Sequence, residues 1–243
     1  MQPLSAKQVM FVLVHGGHAG AWVWDEVRPH LRLPSLAVDL PGHGQRPGNL
    51  RSLSMAECVR SIQSELPKEP RLILVGHSLG AAVVLALAEE LRERVAHLVV
   101  VAGPVPRPGT SITGAFPFFM RLASRLVLWC SGEEFSQSAR MAEQRYLNGV
   151  SPERVRLACS RFTKESRSLV LEPLHWSGRP PEPCTYIHCL RDRGPLSPKY
   201  QEVMAANLGS EVRLVSLDTC HYPMLEQPEL MARVLNEAVQ KEQ

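Results

Sequence analysis

Aspartate is scarce in this sequence, with four among 243 residues, and no apolar run approaches the length of a membrane span. Crossing a bilayer takes about 20 consecutive apolar residues. The first apolar run, Val9 to His15, falls far short, and Met1 to Lys7 before it lack the flanks of a secretion signal. Six cysteines stand at 58, 130, 159, 184, 189 and 220 with no C-x-x-C pair and no metal-ligand rhythm. That excludes a zinc ribbon or disulfide framework and leaves reduced thiols as the expectation. There is no G-x-G-x-x-G and no Gly-Lys-Ser/Thr, so neither a dinucleotide nor a P-loop nucleotide is indicated. A net charge of +3, from 27 basic residues spread along the chain, gives no support to a nucleic-acid or anionic-membrane partner. The expectation is a soluble, cytoplasmic protein with no cofactor or metal, acting on a small molecule; a homodimer is left open.

With 44% apolar and 21% charged residues, the chain can bury a proper core in one domain. Six short apolar, β-branched runs punctuate it: Val9 to Val14, Leu36 to Asp39, Leu72 to Val75, Leu98 to Val101, Thr185 to Leu190 and Val212 to Leu217. Between them Ser54 to Leu66 and Leu79 to Arg94 carry apolar residues at helical spacing, and Pro228 to Gln240 closes the chain as a helix. Strands joined by helical crossovers predict an α/β fold with a doubly wound, mostly parallel six-stranded sheet. The rhythm breaks between Gly103 and Pro183, where helical patterns but no convincing strand are found. Residues 1–103 and 184–243 are therefore expected to form the core, and 104–183 an inserted, mostly helical cap. Insertions at strand carboxyl ends fall where open α/β sheets bind ligands.

Gly76-His77-Ser78-Leu79-Gly80 follows the third run and leads at once into Ala81 and Ala82. This is G-x-S-x-G between a strand and a helix, the setting of a nucleophile elbow. Glycine on both sides lets the backbone turn tightly, and the helix N-terminus behind Ser78 favours developing negative charge. Serine needs a base to attack at neutral pH, and histidine is the usual one. Of nine histidines, His221 lies in the loop after the last strand, where the Ser, acid, His order puts the base. The acid should follow a strand between the two. The shortage of aspartate makes that search short: Asp25 and Asp39 precede Ser78, Asp218 is better placed to turn the His221 loop, and Asp192 remains, with Glu172 or a glutamate of the insertion as the alternative. His15-Gly16-Gly17 after the first strand and the amide after the nucleophile suggest an oxyanion hole built from Gly17 and Leu79. Gly16, His18 and Tyr222 should contact substrate. Phe118, Phe119, Met120, Trp129 and Phe135 in the insertion are candidates for an apolar pocket.

These residues together resemble the α/β-hydrolase superfamily, and within it the group of plant methylesterases and hydroxynitrile lyases. The blocks that carry the resemblance are His15 to Trp24, Asp39-Leu40-Pro41-Gly42-His43-Gly44, the elbow, Ser151-Pro152-Glu153, Asp192-Arg193-Gly194 to Gln201, and His221 to Leu225. The resemblance implies a cofactor-free triad and hydrolysis of small apolar esters. The lyases of the group carry threonine after the first-loop histidine and lysine after the triad histidine, whereas this chain has Gly16 and Tyr222, which disfavours cyanohydrin cleavage. Ser78 rather than aspartate argues against epoxide hydrolases and dehalogenases. A thioesterase or lactonase with the same triad, and a small-molecule receptor using the hydrolase pocket, are the competing readings.

Overall fold

Alternation along the strands sorts the core into two layers. A computed structural model describes residues 9–181 and 183–240; the reading of Met1 to Lys7 lies outside the described residues. In β1 (Val9–Val14) the side chains of Val12 and Val14 enter one buried cluster and those of Phe11 and Leu13 another. The same split separates Leu72 and Leu74 from Ile73 and Val75 in β3 (Arg71–His77). A strand buried on both faces must be apolar at consecutive positions, which is why these strands read as unbroken runs rather than alternating ones. β2 (Ser35–Val38), β4 (Val95–Val101), β7 (Cys184–Cys189) and β8 (Arg213–Leu217) complete a six-stranded sheet in the order β2-β1-β3-β4-β7-β8. Every pairing within it is parallel, so the sheet is more uniform than the mostly parallel one expected.

Helices cover both faces. On the side of Val12 and Leu74 lie α1 (Met55–Glu65) and α2 (Leu79–Glu90), whose Cys58, Ile62, Val83 and Leu87 join that cluster. Residues 92–94, read from the sequence as the end of α2, form a separate 3-10 turn because the α-helix stops at Glu90. α1 starts at a capping box: the Ser54 hydroxyl accepts from the Glu57 amide and the Glu57 carboxylate from the Ser54 amide.

Between β4 and β7, which are hydrogen-bonded neighbours, the chain leaves the sheet and returns to it. This insertion holds α3 (Phe118–Cys130), α4 (Ala139–Arg145), α5 (Pro152–Arg161) and α6 (Arg167–Leu171). It also holds two strands that the sequence did not suggest, β5 (Glu134–Phe135) and β6 (Glu165–Ser166), paired antiparallel. Two residues are too few to show a period-two pattern. After β7 come α7 (Pro198–Ala206), then β8, a short α8 (Pro223–Glu226) and α9 (Pro228–Gln240), whose Met231 and Leu235 pack on the second layer. Among the described residues no helix is long and apolar enough to cross a membrane, and no disulfide joins the cysteines.

Candidate active site

The carboxyl ends of β1, β3, β7 and β8 converge on one cavity of about 500 Å³, within the size range of small-molecule pockets. Ser78 sits between β3 and α2 at φ 49° and ψ −124°. That is a sparsely populated conformation for a residue with a side chain, worth on the order of 1–3 kcal/mol of strain, and such strain gathers at functional positions. Close packing makes the turn obligatory. A β-carbon on Gly76 would lie 2.5 Å from the Gly80 carbonyl oxygen, and one on Gly80 would lie 2.3 Å from the His15 carbonyl oxygen. Gly16 belongs to the same packing. A β-carbon there would meet Ser78 Cβ and His77 Nδ1 at 2.8 Å, and the residue is not in the cavity lining, so it makes room for the elbow rather than contacting a ligand as expected.

His221 and Asp192 come together from the loops after β8 and β7. His221 Nδ1 donates to Asp192 Oδ2 at 2.5 Å, and the carboxylate is buried. The remaining capacity of Asp192 is filled by the Gly194 amide at 2.7 Å to Oδ1 and by Gln201 Nε2 at 2.7 Å to Oδ2. Gln201 was not singled out from the sequence. It reaches back from α7, accepts from the Cys189 amide and donates to the Leu196 carbonyl, which locks the acid loop onto β7. The neighbouring Arg191 pairs with Asp218 and Glu226 instead of Asp192. Glu172, the alternative acid, accepts from the Met55 amide at the start of α1. Asp39 is engaged with the Ala21 and Gln45 amides.

Both Ser78 and His221 line the cavity, and so do Gly17, His18, Leu79 and Tyr222. Neither the Gly17 nor the Leu79 amide donates a hydrogen bond among the described residues. His77, the variable residue of the elbow, donates through Nε2 to the His221 carbonyl at 2.9 Å and so ties the elbow to the histidine loop. Burial and the neighbouring His221 hold the His77 imidazole well below its usual pKa, so it stays neutral. His15 behaves similarly: burial and His43 lower it to about 4, while it bonds the Gly16 carbonyl and accepts from the Leu40 amide.

The apolar wall differs from expectation. Phe118, Phe119 and Trp129 are 56%, 82% and 75% exposed and, with Met120, do not line the cavity. α3 is turned so that Ala123, Ser124 and Leu128 face the cavity, leaving the aromatic residues on its outer side. Phe135 does line it, joined by Phe116, Ile112, Val170 and Leu196. Tyr146, at the end of α4, was missed as well. Its ring centroid is 5.2 Å from that of His221, and burial followed by the charge of Asp192 pushes its hydroxyl up to about 12. Nothing in its sequence surroundings marks it. Among the described residues no cluster of three or more His, Cys, Asp or Glu is arranged to hold a metal.

Comparison with known proteins places this architecture. The chain is 31% identical to polyneuridine aldehyde esterase of Rauvolfia serpentina over 119 residues, covering 46% of this chain and 44% of that protein. It thus spans less than half the length of that relative. An Arabidopsis thaliana protein named as a chloroplastic methylesterase matches over 97% of this chain and 73% of its own length at 27% identity. Among solved structures, the pyrethroid hydrolase PytH superposes with a TM-score of 0.79 at 25% identity, covering 95% of this chain and 96% of PytH. Polyneuridine aldehyde esterase superposes with a TM-score of 0.78 at 20% identity, covering 95% of this chain and 98% of its own. With its parallel sheet, its strained Ser78 turn and a match to the alpha/beta hydrolase family model over residues 11–234, the chain belongs to the α/β-hydrolase family.

Proposed function

We propose that the protein is a serine hydrolase of small, largely apolar carboxylic esters, with Ser78 as nucleophile, His221 as base and Asp192 orienting the base. The observation that carries this reading is the buried Asp192–His221 hydrogen bond directed at the cavity that Ser78 also lines. Support comes from the unpartnered Gly17 and Leu79 amides, which have the character of an oxyanion hole. The names of the relatives, esterase and methylesterase, agree with it. Residues 104–183 act as a cap over the core formed by 1–103 and 184–243. The free cysteines are consistent with the proposed cytoplasmic setting, a chloroplast being the alternative raised by two relatives named as chloroplastic.

In this mechanism His221 Nε2 takes the Ser78 proton as Oγ attacks the ester carbonyl. The oxyanion is held by the two amides, and the imidazolium then protonates the leaving alcohol. Water enters, gives its proton to His221 and attacks the acyl-enzyme, and His221 returns that proton to Ser78 Oγ as the acid is released. Among the described residues Ser78 Oγ makes no hydrogen bond to His221, and such contacts commonly tighten in the Michaelis complex. Thioesters and lactones pass through the same oxyanion, so they are variations in substrate within one chemistry.

Lyase chemistry is a different class, because it must hold a leaving cyanide. Gly16 has no side chain, and burial pushes the Tyr222 hydroxyl pKa up, so neither supplies positive charge. Incubation with an aryl acetate should give a burst of phenol followed by steady turnover, and mandelonitrile should release no cyanide above the buffer rate. Rapid cyanide release with esters left intact would overturn the assignment, and saturable binding of ester without turnover would favour a receptor.

A further inference from the structure

A buried carboxylate stands against the oxyanion amides with no part in the triad. Glu165, in β6, is 1% exposed and lines the cavity. Its Oε1 accepts from the Ser166 amide at 2.7 Å. Its Oε2 accepts from the His18 amide at 3.1 Å and lies 3.2 Å from His43 Nε2. The other ring nitrogen of His43, Nδ1, is 3.1 Å from the Pro41 carbonyl oxygen. With Glu165 ionised, both nitrogens of His43 face oxygen acceptors, and the ring satisfies both only when it carries both protons, as an imidazolium beside a carboxylate. Burial pulls His43 down, but the bond and charge of Glu165, the Pro41 carbonyl and Asp39 together raise it; burial pushes Glu165 up, but His43, His18 and the Ser166 amide together lower it.

The place of this pair is what matters. A β-carbon on Gly17 would lie 3.0 Å from Glu165 Oε2, so the carboxylate abuts the residue whose amide is proposed above to hold the oxyanion. His18, next to it, is held at φ 63°, in the left-handed region that a residue with a side chain seldom adopts. Contacts from the insertion hold it there, among them the Glu165 carboxylate on its amide, the Thr163 amide and hydroxyl donating to its carbonyl at 2.8 and 3.4 Å, and the Thr163 carbonyl 3.0 Å from its Nδ1. A bare carboxylate so close to a developing oxyanion would oppose it in a cavity of low dielectric. The positive charge on His43 removes that conflict while leaving the carboxylate free to accept. Asp39 and the neutral His15, whose ring centroid is 5.3 Å from that of His43, complete the surroundings.

We propose, resting on the esterase reading above, that Glu165 and His43 are positioning residues: Glu165 clamps the oxyanion turn to the insertion, and His43 cancels its charge. Neither touches the reacting atoms. The test compares kcat, KM, melting temperature and the rate of fluorophosphonate labelling in wild type, Glu165→Ala, Glu165→Gln, His43→Gln and the double variant His43→Gln/Glu165→Gln. Glu165→Ala should lower kcat about tenfold or more with KM within about threefold, because the loss falls on the oxyanion. Glu165→Gln keeps an acceptor for the His18 amide and should recover most of kcat. His43→Gln keeps the hydrogen bond but leaves the carboxylate uncompensated. It should lower kcat and slow labelling, and adding Glu165→Gln should restore both. If Glu165→Ala does not fold, the two His43 variants decide alone. A His43→Gln enzyme with wild-type kcat, or a loss that the double variant does not repair, overturns the proposal. Wild type that neither labels nor turns over esters contradicts the esterase reading itself.

Discussion

Replacing Ser78 with alanine is expected to abolish ester turnover, a loss on the order of 10⁶ in kcat, while the melting temperature stays near that of wild type. The two halves of this expectation have separate causes. Ser78 Oγ is the atom proposed to form the acyl-enzyme, and without it His221 has nothing to activate on that path. Stability should persist because the side chain makes no hydrogen bond among the described residues, so its removal orphans no partner. Alanine carries the same β-carbon and meets the φ of 49° with the same strain, as Ala102 already does at 45°. Steady-state assays with an aryl ester, paired with thermal melts, check both halves. Turnover within about a hundredfold of wild type in a folded variant would point to another nucleophile.

Asp192→Asn carries the second largest expected effect, a loss of up to about 10⁴ in kcat by analogy with other triads. Asp192 accepts at both oxygens: Oδ1 from the Gly194 amide, Oδ2 from His221 Nδ1 and Gln201 Nε2. Asparagine has one oxygen and one amino group for these positions. With oxygen toward Gly194, the amino group faces His221 and demands an acceptor there, which stabilises the tautomer with its proton on Nε2. That tautomer cannot take a proton from serine. The opposite orientation confronts the Gly194 amide with a donor and leaves it unsatisfied in a buried site. Binding should change less than kcat, since the cavity keeps its shape. A variant that folds and keeps kcat within about tenfold of wild type would remove Asp192 from the role.

How far the sequence anticipates this site depends on the range of the interactions involved. The elbow is legible in five consecutive residues: Gly76 and Gly80 flank Ser78 because the start of α2 leaves no room for a β-carbon at the first and the His15 carbonyl none at the second. Strands β1, β3 and β4 are buried on both faces and so announce themselves as apolar runs. Asp192 emerges because aspartate is scarce and chain order restricts the choice. The phase of α3 is another matter. Its polar residues Arg121, Ser124 and Arg125 share one side, so periodicity points the apolar side inward, whereas Phe118, Phe119, Leu126 and Trp129 are exposed and Ser124 lines the cavity. Gln201, His77, Tyr146 and Glu165 act through partners between 9 and 147 residues away, a distance over which residue type alone carries no address.

Labelling with a fluorophosphonate followed by peptide mass mapping asks which residue is the nucleophile, because the reagent reacts with an activated nucleophile and needs no knowledge of the natural ester. One adduct per chain is expected, on the peptide containing Ser78, blocked by prior acylation with an aryl ester and strongly slowed in Asp192→Asn. An adduct on any other residue, or an unlabelled Ser78 in folded wild-type protein, would contradict the assignment of Ser78.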